Sequence, residues 1–130
     1  VNISQWKQSK QSLSGTKRKK MSNQSRKHRG YATQRIVAEY LQREGWEHAL
    51  PVGAGREGSD ITGIKGLDIE IKARTGLDLA GLMRQLNERK ATGLGVGVLR
   101  LNGQGEKSVE QFVAVLTLSD LVYLLKASGY

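Results

Sequence analysis

The segment Leu67-Asp-Ile-Glu-Ile-Lys-Ala73 alternates apolar and charged side chains without a break. Such alternation predicts a β-strand, with Leu67, Ile69, Ile71 and Ala73 on one face and Asp68, Glu70 and Lys72 on the other. At the surface of a sheet the pattern carries no further meaning, because the charged face meets water. In the middle of a sheet both faces are covered, and the three charges then need partners or a metal ion. What surrounds this strand decides between a surface and a site.

Just upstream, Gly53, Gly55 and Gly58 have the spacing of a dinucleotide-binding loop. That loop works only where a helix starts inside it and turns its N-terminus to a pyrophosphate. Here Ser59 to Ile64 is short, β-branched and broken by glycine, so the glycines lead into a hairpin and no nucleotide cofactor is expected. The hairpin register matters. A two-residue turn at Lys65-Gly66 pairs Asp60 with Ile71 and turns it away from Glu70, whereas a three-residue loop, Ile64-Lys65-Gly66, sets Asp60 opposite Glu70 with Cβ atoms about 5 Å apart. Gly66 suits the left-handed third position of the longer loop, so that loop, or a bulge of the same parity, is predicted; a two-residue turn without a bulge would put the two carboxylates on opposite faces and remove the site. Two carboxylates set opposite each other on one face make a hard-oxygen site suited to magnesium, and Lys72 on the same face can hold or deprotonate a water and stabilise a pentacoordinate phosphate.

The remaining pattern gives the order αβββαββα. Ile36, Val37, Tyr40 and Leu41 recur at helical spacing within Tyr31 to Glu44, and Gly45 ends the helix. A short strand follows between His48 and Val52. Asp78 caps a second helix reaching about Lys90, with Leu79, Leu82, Met83 and Leu86 on one side. Strands begin near Leu94 and Gln111, joined by a polar segment, and a last helix starts at Ser119 or Asp120. A mixed sheet flanked by helices follows, in which the second helix serves as a crossover. Gly93, Gly95 and Gly97 weaken a strand unless something approaches its backbone, and helix packing is the simplest cause.

The 130 residues suffice for one domain, and the chain has no cysteine, which fits a reducing compartment. No apolar run approaches the roughly 18 residues of a membrane span, and the first residues lack the apolar stretch of a signal peptide, so a soluble cytoplasmic protein is expected, without a membrane partner. The net charge of +9 is segregated: residues 1–29 hold nine Lys or Arg and no acid, whereas the rest is balanced. The reading is therefore a basic, disordered arm over 1–29 and a folded domain over 30–130. Lys17, Arg18, Lys19, Lys20, Arg26, Lys27 and Arg29 point to a polyanion such as nucleic acid, though a solubilising tail or a nuclear address has the same composition.

Asp60 followed by Glu70-Ile71-Lys72, after an amphipathic helix and a glycine-rich loop, resembles the PD-(D/E)XK nuclease superfamily, and more narrowly the Holliday-junction resolvases of archaeal and bacteriophage type. The similarity covers roughly Arg29 to Tyr130. It implies a restriction-endonuclease-like core and a magnesium-dependent endonuclease, with manganese as a substitute, that cuts branched DNA as a homodimer. It assigns metal ligation to Asp60, Glu70 and the Ile71 carbonyl, and water activation to Lys72. Gln85 on the following helix falls where related nucleases carry a glutamine near the site. Two positions depart from the family: Ser59 stands in place of a proline, and Gln34 in place of a glutamate. At about 100° per residue, Gln34 lies roughly 90° from the apolar centre of its helix, within reach of the site, and Glu39 lies farther round among solvated residues.

Arg56 and Arg74 are candidate phosphate contacts, balanced against plain surface roles. Trp6 is a candidate for stacking on a base, Trp46 for the core, and the lone His28 and His48 for surface or structural positions. An end- or duplex-acting nuclease of the same superfamily, or a non-catalytic DNA-binding module, remains the alternative.

Overall fold

The computed structural model describes residues 23–53, 58–73, 76–89 and 93–130. Helix α1 spans Asn23–Arg43 and so reaches back into the stretch assigned to the basic arm. Its Thr33, Ile36, Val37 and Ala38 are buried at the expected spacing. It closes in a Schellman turn: Gly45 has φ +115°, its N–H donates to the Gln42 carbonyl, and the Trp46 N–H donates to the Leu41 carbonyl. The turn carries Trp46 outward. Trp46 is 49% exposed and not the core residue expected.

Strands β1 (Leu50–Pro51) and β2 (Ile61–Thr62) pair antiparallel as a short ribbon. Strand β3 (Leu67–Lys72) runs parallel to β4 (Leu94–Leu99), with helix α2 (Leu79–Glu88) as the crossover, and β4 pairs antiparallel with β5 (Val113–Val115). The architecture is mixed α/β, but the five strands divide into two sheets, and β4 rather than β3 is the middle strand of the larger one. Within the polar segment before β5 lies a 3-10 helix, Glu106–Gln111, which no periodicity announced. Thr117, not Ser119 or Asp120, caps α3 (Leu118–Ala127) by accepting from the Asp120 N–H.

Two apolar clusters lie on opposite faces of β3 and β4. Val37 and Ala38 of α1 meet Ile69, Ile71 and Ile61, whereas Leu82 and Leu86 of α2 meet Leu99. Helix α3 buries none of its residues; Leu118 is 74% exposed and Tyr123 71%.

The turn before β3 differs from the longer loop expected. The Leu67 N–H donates to the Ile64 carbonyl, so Lys65 and Gly66 are the two central turn residues, with Gly66 at φ +80°. Ladder pairing ties β2 to β1 and not to β3. Gly63, at φ +90°, bends the chain against the His48 carbonyl, where a Cβ would fall on backbone atoms. Gly63→Ala should therefore destabilise the protein by about 3 kcal/mol or more, whereas Gly66→Ala, whose added Cβ meets open space, should cost about 1–2 kcal/mol from its left-handed backbone alone. Urea denaturation of the two variants measures the difference.

Candidate active site on strand β3

Strand β3 turns Ile69 and Ile71 toward α1, and Asp68 and Glu70 toward α2. Both acids are buried, at 8% and 6% exposure. The covering of this face follows from the glycines of β4. In the parallel register Gly95 lies beside Asp68 and Gly97 beside Glu70. A Cβ at Gly97 would stand 2.6 Å from Leu82 Cδ2 and 2.7 Å from Val115 Cγ2, so only glycine lets α2 settle this close to the sheet.

That approach brings the end of α2 onto the acids. The Arg89 guanidinium grips Asp68 with two bonds, Nη2 to Oδ1 at 2.6 Å and Nε to Oδ2 at 3.0 Å. Its Nη1 donates to Glu70 Oε2 at 2.8 Å and to the Gly58 carbonyl at 2.6 Å. From the other side, Lys72 Nζ lies 3.0 Å from Glu70 Oε1, and Gln85 Nε2 donates to the same oxygen at 3.2 Å. Among the described residues no buried side-chain nitrogen or oxygen lacks a partner. Gln85 is thus an exposed residue of α2 that also touches Glu70. Asp68 and Arg89 were missed, although Arg89 follows Gln85 by one helical turn and Asp68 precedes Glu70 by one strand repeat.

Asp60 reaches the site along the free edge of β3 rather than across a ladder. Its N–H donates to the Ile69 carbonyl at 2.7 Å, and its Oδ2 accepts the Ile71 N–H at 2.7 Å. Ser59 completes this edge, its hydroxyl accepting the Ile69 N–H at 2.9 Å and donating to the Ile61 carbonyl at 2.6 Å. A residue's N–H and C=O point to the same side of a strand, so the Ile71 carbonyl also faces the Asp60 edge. Burial pushes the Asp60 carboxyl above the ordinary carboxylate range; the Ile71 N–H opposes this, and the charge of Glu70 adds to it.

The other expected site residues separate. Gln34 Oε1 accepts the Gly53 N–H at 3.1 Å, so this side of its amide holds the start of the glycine loop. Arg29 Nε donates to the Ala73 carbonyl at 3.1 Å, just beyond Lys72. Lys27 and His28 are exposed on α1. Glu39 pairs with Arg35 on the surface, and His48 is exposed beside Glu47. Trp6, Lys17, Arg18, Lys19, Lys20, Arg56 and Arg74 lie outside the described residues, as does the side chain of Arg26. A cleft of about 280 Å³ opens beside the site, lined by Lys72, Leu77, Gly81, Leu82 and Gln85 among others.

As a donor set for a hard cation, the site offers two carboxylates and a main-chain carbonyl. Asp60 has Oδ1 free of the strand, and Glu70 Oε2 has one donor where a carboxylate oxygen accepts two. No group of three or more His, Cys, Asp or Glu side chains gathers among the described residues. The set fits an ion that keeps several of its own waters, as magnesium does.

Removing the guanidinium should leave Asp68 and Glu70 buried with too little positive charge. Arg89→Leu is expected to lose about 3–5 kcal/mol, which urea denaturation measures. Asp60 behaves oppositely. Because its folded pKa is raised, its contribution to stability is full below the unfolded value near 3.8 and is lost as pH rises through the folded value. Asp60→Asn should therefore stabilise the metal-free protein at pH 7, and the gain should vanish below that unfolded value. No family model matches this chain, and neither a curated protein nor a solved structure does.

Proposed function

We propose that this chain is a metal-dependent, structure-selective DNA endonuclease with a restriction-endonuclease-like core, acting as a homodimer on branched DNA such as a Holliday junction. The observation that carries the reading is the convergence on β3 of Asp60, held at the Ile71 N–H, with the Glu70–Lys72 ion pair. Asp60, Glu70 and the Ile71 carbonyl would hold magnesium or manganese. The ion would polarise the scissile phosphate and lower the pKa of an attacking water.

Lys72 has the remaining work. Its ammonium, kept beside Glu70, orients the water and offsets the charge that gathers on the phosphate oxygens in the transition state, and only as the neutral amine would it take the water's proton. Gln85 fixes the Glu70 carboxylate from α2, and the neighbouring cleft gives the DNA backbone room to approach Lys72. Support for a dimer comes from α3. A helix as apolar as Leu118–Ala127 is ordinarily covered, yet every residue of it from Leu121 onward is exposed.

A second reading has one observation in its favour. Arg89 already neutralises Asp68 and Glu70, so the acidic face is stable without an ion and suits a non-catalytic DNA-binding module. Cleavage separates the two. With a labelled four-way junction, an end- or duplex-acting nuclease is recognised by equal cutting of the linear duplex. The wild type should nick near the branch only with magnesium. Glu70→Gln should abolish nicking while retaining magnesium-free binding, and Lys72→Ala should slow it about 10²–10³-fold. Binding by wild type without cutting any substrate establishes the module instead. Leu121→Glu with Leu125→Glu should convert the dimer to monomer in sedimentation velocity.

A further inference from the structure

Beyond the acidic face, the ends of β3 and β4 carry two arginines held by neutral groups alone. The Arg100 N–H donates to the Lys72 carbonyl at 2.9 Å, and Arg29 Nε donates to the next carbonyl, that of Ala73, at 3.1 Å. Thr33, fully buried, links them. Its hydroxyl donates to the Arg29 carbonyl at 2.7 Å and accepts from Arg100 Nη1 at 3.1 Å. Arg100 Nε is fixed on the Gln104 carbonyl at 2.7 Å, and its guanidinium lies 5.9 Å from the Phe112 ring centroid.

Among the described residues no carboxylate comes within ion-pair distance of either arginine. Glu106 reaches Arg35 instead, at 3.9 Å. Burial and the neighbouring charge of Arg29 hold Arg100 below the ordinary arginine range, with Glu106 opposing more weakly. Two like charges kept together in this way raise the energy of the unliganded protein, and an anion between them lowers it. Among the described residues, their bonds to carbonyls and to a hydroxyl leave both Nη groups of Arg29 and Nη2 of Arg100 for an acceptor. A fixed guanidinium fork suits phosphate oxygens, to which it can bond bidentately.

We infer that Arg29 and Arg100 form a phosphate-binding subsite that holds the DNA backbone beside the phosphate presented to Lys72. The inference rests on the proposal that DNA is the substrate, and it adds a rigid contact belonging to the folded domain, with Arg100 as a residue that the charge pattern did not single out. Thr33 is its positioning residue. Because the two arginines hang on the carbonyls of Lys72 and Ala73, a phosphate bound there is held in register with the lysine ammonium.

The test is metal-free binding of the full chain to a labelled four-way junction and to its linear duplex over a series of salt concentrations. Arg29→Gln keeps a donor for the Ala73 carbonyl and removes one charge, so its logarithmic salt slope should fall by about 0.9 relative to wild type, with a melting temperature no lower than the wild type's. Arg100→Lys retains the charge without the fork, and should keep the slope while weakening binding. An unchanged slope and affinity in Arg29→Gln overturns the subsite; if junction cutting still needs Glu70, the nuclease reading survives that failure. Failure of the wild type to bind either DNA overturns both. Inorganic phosphate, added at constant ionic strength, separates the two sources of the ligand. A melting shift with phosphate that Arg29→Gln abolishes, without any change in DNA slope, assigns the pair to free phosphate and overturns the DNA assignment.

Discussion

The contact of Arg89 with Asp68 and Glu70 is the constraint to which the rest of the site conforms. Two carboxylates taken out of water lose hydration worth several kcal/mol each, and only close, well-aligned positive charge offsets that loss. The planar guanidinium meets the geometric demand, gripping one acid bidentately while reaching the other and a loop carbonyl. For it to arrive, α2 must lie almost on the sheet, and the absence of a side chain at Gly97 permits this. Sheet, helix and charge are thus parts of one arrangement. A side chain added at Gly97 would lift the helix and unseat the arginine together.

On the opposite edge of β3 the backbone is satisfied by different means. Among the described residues no strand continues the sheet there, and Ser59 and Asp60 supply hydroxyl, N–H and carboxylate to the edge peptide groups of Ile69 and Ile71. This gives Ser59 a backbone role: its hydroxyl serves the Ile69 N–H as a ladder partner would. It also explains why Asp60 is fixed. A carboxylate bonded to a strand backbone has little freedom, and a site built on such a strand is better defined than one built on a loop.

Much of this was legible in the sequence, and the rest was hidden for definite reasons. The alternation in Leu67 to Ala73 fixed both faces of β3, and the glycines of β4 announced a close helix. Asp78 capped α2 as read, through the Gly81 N–H. The hairpin register was not legible, because it depended on the sequence-distant His48 meeting Gly63 beside the turn and on β2 choosing β1 as its partner. Asp68 shared the charged face of the strand without an assigned role, because its partner Arg89 is 21 residues away. Trp46 read as core because an aromatic after a helix commonly folds back, whereas here the Schellman turn leaves its ring half exposed. Arg100 resembled any cation at a strand end, and only the buried Thr33 shows that it is held in place.

The span of the arginine clamp also bears on how the chain acquires its structure. Arg89 closes loops of 19 residues to Glu70 and 31 to Gly58, so its bonds form only after sequence-distant segments have met. Until then Asp60, Asp68 and Glu70 repel one another, and the strand that carries two of them gains little from pairing early. The arginine clamp is therefore a non-local contact, of the kind whose abundance slows folding. During synthesis the acidic strand emerges before the helix that neutralises it, so a truncated product ending in the 70s would keep its carboxylates in water and assemble no site.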